Sequence, residues 1–261
     1  MERKFETIVY KVEERVARVI LNRPEVHNAF NDTMIKELAT VFNDIKNRKD
    51  IRVVLLTGEG KSFCAGADLN WMRKVKGYTF EENVKNSLKL SEMLYLIYSL
   101  PKPTIASVNG SAIGGGTGFV AICDLAIASS HAKFSFSEVK IGIVPACISP
   151  YVIRKCGEGK TREFFLTGER LTAEKALSAG LVNQVVPPEE LHQAVDNLVS
   201  RLLSSGPDAI GVCKDLLENV PGLNFEEAKE YTARVLAGLR MSDEGQEGTK
   251  AFLEKRKPRW S

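Results

Sequence analysis

The sequence predicts a mixed α/β chain, with a sheet-based core first and a helical region last. Three observations predict it. Strand-like patterns crowd the first half of the chain. Helical periodicity dominates its end. Between them, two small-residue segments, Ser62-Phe63-Cys64-Ala65-Gly66-Ala67-Asp68-Leu69 and Asn109-Gly110-Ser111-Ala112-Ile113-Gly114-Gly115-Gly116, each read as a strand running into a tight turn that opens a helix.

In chain order, residues 7–12 and 16–21 alternate as a strand pair does, joined through Glu13-Glu14. Asn31-Asp32-Thr33 caps a helix predicted over 32–47, with Ile35, Leu38, Phe42 and Ile45 spaced for one buried face. Ile51 to Thr57 is largely apolar and reads as a strand buried on both faces. Residues 80–99 form an amphipathic pattern that stops before Pro101. Thr104–Asn109 and Asp124–Ser129 read as further buried strands, with a short helix at 114–121 between them. After Pro145 the chain is expected to be helical through about 203, and Pro207 opens helices near 207–219, 224–240 and 243–255. There is no low-complexity tract and no internal repeat at a fixed period.

The glycine-rich turns carry the chemical content. Small residues let a ligand approach the backbone, and unpaired N–H groups at a helix start stabilise an anion. Two such turns side by side give two N–H donors for one oxygen, an oxyanion hole. The alternative is that they are plain strand-to-helix turns. A dinucleotide reading of Gly110 to Gly116 lacks the downstream strand ending in an acidic residue that such a site needs. Glu138, between Phe134-Ser135-Phe136-Ser137 and Val139, is either a solvated strand end or a carboxylate desolvated by Phe136, Val139 and Ile141, with its pKa raised toward neutrality.

In these segments the chain resembles the crotonase family, the enoyl-CoA hydratases and isomerases. The matching stretches are Leu21-Asn22-Arg23-Pro24 with Asn28-Ala29-Phe30, Phe63 to Leu69, Pro101 through Gly116, Cys123 to Ala128, Ser137 to Gly142, Ala176 through Val186, and Ala251 to Arg256. They cover nearly the whole chain in the family's order. The resemblance implies a spiral of ββα turns over 1–203 and a C-terminal helical region over 204–261 that builds a homotrimer or a dimer of trimers. It implies that the N–H groups of Ala67 and Gly115, the latter following Gly114, hold the thioester oxygen of an enoyl-CoA. Such donors are worth about 3 kcal/mol each in the transition state. Glu138 then moves the proton. Coenzyme A, part of the substrate rather than a cofactor, is expected against Val26, His27, the segment Ala65, Gly66, Ala67, Asp68 and Leu69, and Lys255. Trp71, Met72, Phe119, Ile148 and Tyr151 are expected at the acyl pocket, with Phe252 closing it from a C-terminal helix of this chain or of a neighbour. No metal or redox cofactor is implied.

One position departs from the family. Its hydratases usually carry a second glutamate where this chain has Gly118. Two carboxylates divide the proton traffic of water addition; one alone suits a 1,3-proton shift. Asp68 and Asp124 read instead as acceptors of backbone hydrogen bonds. A second resemblance, through Gly66 to Met72, Ser137 to Ile153 and Glu244 to Gly248, is to bacterial methylglutaconyl-CoA hydratases. These share the glycine and act on branched 2-enoyl-CoA esters of leucine breakdown. Arg73, Lys74 and Arg154 are the cations considered for a distal carboxylate. The expected activity is therefore hydration of a 2-enoyl-CoA, with isomerisation and acyl-CoA binding without turnover as alternatives.

Composition fits this. With 44% hydrophobic and 26% charged residues the chain is ordinary globular protein, and a net charge of +3 makes no case for nucleic acid. The basic run Lys46 to Lys49 reads as a solvated helix end. Five cysteines form no CxxC and no metal spacing with the three histidines, so reduced thiols in a cytoplasmic protein are expected. His27, His131 and His192 show no partner pattern. No apolar run is long enough to span a membrane, and the first residues do not resemble a signal or transit peptide.

Overall fold

The computed structural model describes residues 2–260. Two sheets are threaded by one chain. Strands β1 (Glu2–Lys4), β2 (Ile8–Glu13) and β3 (Val16–Leu21) form an antiparallel meander. Helix α1 (Asp32–Asn47) leads to β4 (Val53–Gly58), β5 (Ser62–Cys64), α2 (Leu69–Val75) and α3 (Phe80–Tyr98). Then come β6 (Thr104–Val108), β7 (Ser111–Ile113), α4 (Gly115–Ile122), β8 (Leu125–Ser129) and β9 (Lys133–Ser135). Helix α5 (Ser149–Thr167), β10 (Arg170–Thr172), α6 (Ala173–Ser178), β11 (Gln184–Val186) and α7 (Leu191–Leu203) follow, and α8 (Pro207–Asn219), α9 (Phe225–Met241) and α10 (Asp243–Leu253) end the chain. The larger sheet has the order β1-β2-β3-β4-β6-β8-β11 and the smaller β10-β9-β7-β5. Successive strand pairs β4–β5, β6–β7 and β8–β9 give their first member to the large sheet and their second to the small one. That alternation is the spiral, and it runs parallel within each sheet through these strands.

The apolar strands follow from burial on both faces. On β4, Val54 and Leu56 join the main core with Ala106, Phe63 and Phe119, whereas Val53 and Leu55 join Ile105, Ile127 and α7's Leu191, Val195 and Val199. A strand covered on both sides has no polar face, so no alternation is visible in its sequence. Helix α1 matches its predicted bounds: the Asn31 side chain accepts from Met34 N, and Ile35, Leu38, Phe42 and Ile45 are all buried. Thr79 and Glu82 form a capping box at the start of α3.

The expectation of unbroken helix through 203 is corrected. Gly168 and Gly180, both at positive φ, end α5 and follow α6, and β10 and β11 add three-residue edge strands to the two sheets. Strands that short carry too few residues for a period to show. Helix α5 itself is broken at Gly157. The run Lys46 to Lys49 is a solvated helix end, as expected, with Lys46, Asn47 and Lys49 exposed; Lys102 Nζ donates to the carbonyls of Ile45 and Arg48 there, and half-buried Arg48 pairs with Asp50. Among the described residues no helix is long and apolar enough to cross a membrane.

Candidate active site

The site is built where β5 and β7, neighbours in the small sheet, run out into their turns. Gly66 has φ +90°, and a Cβ there would stand 2.7 Å from Ile113 O and 3.8 Å from Gly115 N, so the two turns touch through glycine. Phe30 lies beside the first turn, donating its N–H to Gly66 O at 2.8 Å and accepting from Asp68 N at 2.9 Å. In this bridge of Phe30 to Ala67 the flanking groups face Phe30, so the N–H of Ala67 points the other way. The N–H of Gly115, first residue of α4, lies ahead of the helix's own ladder. Among the described residues neither N–H has an acceptor.

Glu138 comes to the same place from β9. That strand pairs with β7 in register Ile113 to Ser135, and Gly114 N donates to Ser135 O at 2.7 Å. A 3-10 turn over Ser137–Ile141 then carries Glu138 back over Gly114. A Cβ on Gly114 would meet Glu138 Oε1 at 3.1 Å and Oε2 at 3.8 Å. Glu138 Oε2 is buried and has no hydrogen-bond partner. Burial raises its pKa, partly offset by its own backbone N–H. Of the expected desolvating neighbours, Phe136 is fully buried, Val139 is half-buried, and Ile141 is mostly exposed, so it shields little.

Aromatic rings pack behind the turns. Phe30 lies 5.3 Å from Phe119 and 5.7 Å from Trp71 between ring centroids, and its edge would meet a Cβ on Gly115 at 2.7 Å. The buried indole Nε1 of Trp71 has no partner. Gly118 is buried under Ile148, whose Cγ2 and Cβ would stand 2.2 and 2.9 Å from a Cβ at 118. Tyr151, one turn beyond, is buried against Tyr98 rather than against the turns.

Asp68 and Asp124 are structural, as read. Asp68 accepts from Asn70 N and Trp71 N and pairs with Arg23 at 2.8 Å; Asp124 accepts from Thr104 N and pairs with Lys214. His27, for which the sequence shows no partner pattern, is exposed and ends the 3-10 turn over Pro24–Val26; its Nδ1 lies 3.1 Å from Ser62 Oγ, and its carbonyl accepts from Ala65 N. Val26 and His27 therefore stand beside the first turn. Leu69, Phe252 and Lys255 are exposed, Phe252 by 82%, so within this chain Phe252 covers no pocket. A cavity of about 890 Å³ lies between α1 and α3, and Glu138 does not line it. Sequence reasoning gave no role to Arg23 or Phe30 beyond their place in matching motifs. An arginine set among Asn22, Asn28 and Asn31 was the available clue.

Two free N–H donors on touching turns and a desolvated carboxylate can stabilise an enolate and move a proton at its α-carbon. The comparisons with known proteins agree. The family model described as enoyl-CoA hydratase/isomerase matches residues 11–261. The chain belongs to the enoyl-CoA hydratase/isomerase family. Its relatives include a crotonyl-CoA hydratase of Syntrophomonas wolfei, 33% identical over 97% of this chain and 97% of the relative. A short-chain-enoyl-CoA hydratase of Clostridium acetobutylicum is 32% identical over 96% of this chain and 95% of the relative. The crystal structure of an enoyl-CoA hydratase from Shewanella pealeana superposes with a TM-score of 0.94 at 38% identity, covering 98% of this chain and 96% of that one. The enoyl-CoA hydratase/isomerase fold is thus present over 98% of this chain.

Proposed function

We propose that this chain hydrates a 2-enoyl-CoA thioester. The observation that carries the reading is the buried, unpartnered Glu138 carboxylate oxygen beside two touching turns whose N–H groups at Ala67 and Gly115 are free. The thioester oxygen accepts from both N–H groups. Glu138 takes a proton from water, the hydroxyl adds at the β-carbon, and the resulting enolate is held by the two donors. Glu138 then returns the proton to the α-carbon. Water and the thioester balance the reaction, with coenzyme A as part of the substrate and no other cofactor drawn on. Gly114, Gly66 and Ala65 shape the turns; Trp71, Phe119 and Ile148 line the acyl side; Val26, His27, Asp68 and Leu69 flank the coenzyme A side.

The packing of Ile148 over Gly118 favours a second reading, isomerisation of a 3-enoyl-CoA, because no second carboxylate fits there. Glu138 alone then carries a proton from the α-carbon to the γ-carbon. Branched 2-enoyl-CoA esters of the methylglutaconyl type are the first substrates to try after crotonyl-CoA. Lys74 pairs with Asp32, Arg73 donates to Asn70 and Arg154 to Tyr98, so a distal carboxylate must compete for its cation.

A trimer, single or doubled, is supported by Phe225, Met241 and Phe252 standing exposed on the C-terminal helices. Phe252 and Lys255 would then serve a neighbour's site. Light scattering that gave a monomer would remove that part. A cytoplasmic location fits the free cysteines, and recovery in a membrane or secreted fraction would oppose it. The deciding experiment follows absorbance of the conjugated thioester with crotonyl-CoA in ¹⁸O-water. Loss of the band with label in the product supports hydration. A 3-enoyl-CoA that gains the band while crotonyl-CoA does not react replaces it with isomerisation. Binding with neither change overturns both.

A further inference from the structure

We propose that Arg23 is a positioning residue for the oxyanion turn, setting the Ala67 N–H through Asp68. The inference rests on the enolate reading above. Ala67 stands between two groups tied to Phe30: Gly66 O accepts from Phe30 N, and Asp68 N donates to Phe30 O. The Arg23 guanidinium spans both sides of this bridge. Its Nη1 donates to Ala29 O, next to Phe30, and its Nη2 lies 2.8 Å from Asp68 Oδ2, next to Ala67.

The connection is rigid at both ends. Asp68 Oδ1 accepts from Asn70 N at 2.7 Å and Trp71 N at 3.2 Å, so each carboxylate oxygen has its own partners. The Asp68 side chain is only 6% exposed and that of Arg23 17%. Arg23 N donates to Asn28 Oδ1, and Asn28 Nδ2 donates to Glu59 O and Ser62 O at the root of β5. Thus one arginine joins the segment before the turn, the strand entering it and the carboxylate leaving it. A planar fork holds two acceptors at fixed separation, which a lysine ammonium cannot reproduce. Without Arg23 the Asp68 carboxylate keeps its helix-capping bonds but loses its buried counter-charge. The residue that must then shift carries the peptide next to Ala67.

The test uses the full chain and a cinnamoyl-CoA bearing a dimethylamino group, whose absorbance shifts to the red when its carbonyl is polarised. In the wild type the bound probe shifts red. In Arg23→Met the shift shrinks and kcat falls by about 10- to 100-fold, as for a donor misplaced by a fraction of a bond length, while KM moves less than about threefold. Arg23→Lys recovers part of both. If Arg23→Met does not fold, Asp68→Asn decides, since it keeps the capping oxygen and loses the ion pair. A folded variant with the wild-type red shift and the wild-type kcat per folded site overturns the inference. A wild type with neither red shift nor turnover instead overturns the enolate reading on which it rests.

Discussion

Gly118→Ala tests the feature that separates this chain from two-carboxylate hydratases. The new methyl carbon would lie 2.2 Å from Ile148 Cγ2 and 2.9 Å from Ile148 Cβ, where carbon contacts ordinarily sit at about 3.5–4.0 Å. Rotating χ1 moves Cγ2 away but leaves Cβ in place. Both residues are buried, Ile148 to 3% exposure, so the methyl has no route to solvent. The α4 and α5 backbones must separate, at a cost of about 1–3 kcal/mol. In a chain of this size that lowers Tm by about 2–10 °C. Ile148→Ala alone costs about 2–5 kcal/mol through the cavity it leaves. In the double variant the new methyl enters that cavity, so the two changes couple favourably by about 1–3 kcal/mol. Urea unfolding of the four proteins measures the cycle. A Gly118→Ala protein with wild-type stability, together with additive energies within about 0.5 kcal/mol, would refute the close packing and with it the account of why no carboxylate stands at 118.

Three further outcomes are expected. Glu138→Gln loses turnover by at least about 10²-fold while coenzyme A affinity is retained, read by steady-state kinetics and calorimetry; residual activity near wild type removes Glu138 from the reaction. Burial raises the Glu138 pKa above its usual 4.5, so its folded-state contribution is full below the unfolded value and is lost as pH rises through the folded one. Glu138→Gln is therefore more stable than wild type near pH 7, and the difference vanishes at pH values below the unfolded carboxyl's; a constant difference across a pH series of melts contradicts the desolvation. Gly66→Ala, with φ +90° and Ile113 O in the way, loses about 1–3 kcal/mol and most of kcat, and an active, stable variant would mean the turn does not need glycine.

Much of the fold could be read before any coordinates. Helix α1 was legible because Asn31 supplies a cap and its apolar residues keep one period over sixteen residues. The paired turns and Glu138 were legible as motifs, and Asp68 as a hydrogen-bond acceptor. The short strands β10 and β11 were not, because each is held by a neighbour rather than by its own pattern. The exposure of Phe252 was also invisible, since an apolar residue in a helical period looks the same on a core and on a bare face.

Taken by itself, then, the sequence determined the element types, the family resemblance and which side chains carry chemistry, because these depend on local period, caps and residue identity. Only the tertiary structure decided that the Gly66 and Gly114 turns touch, that Glu138 folds back over Gly114, and that Ile148 fills the space above Gly118. It alone joined Arg23 to Asp68 across the Phe30–Ala67 bridge. The physical reason is common to all four. Each is a contact between segments far apart in the chain, fixed by the register of the spiral and by close packing, and neither leaves a trace in the order of neighbouring residues.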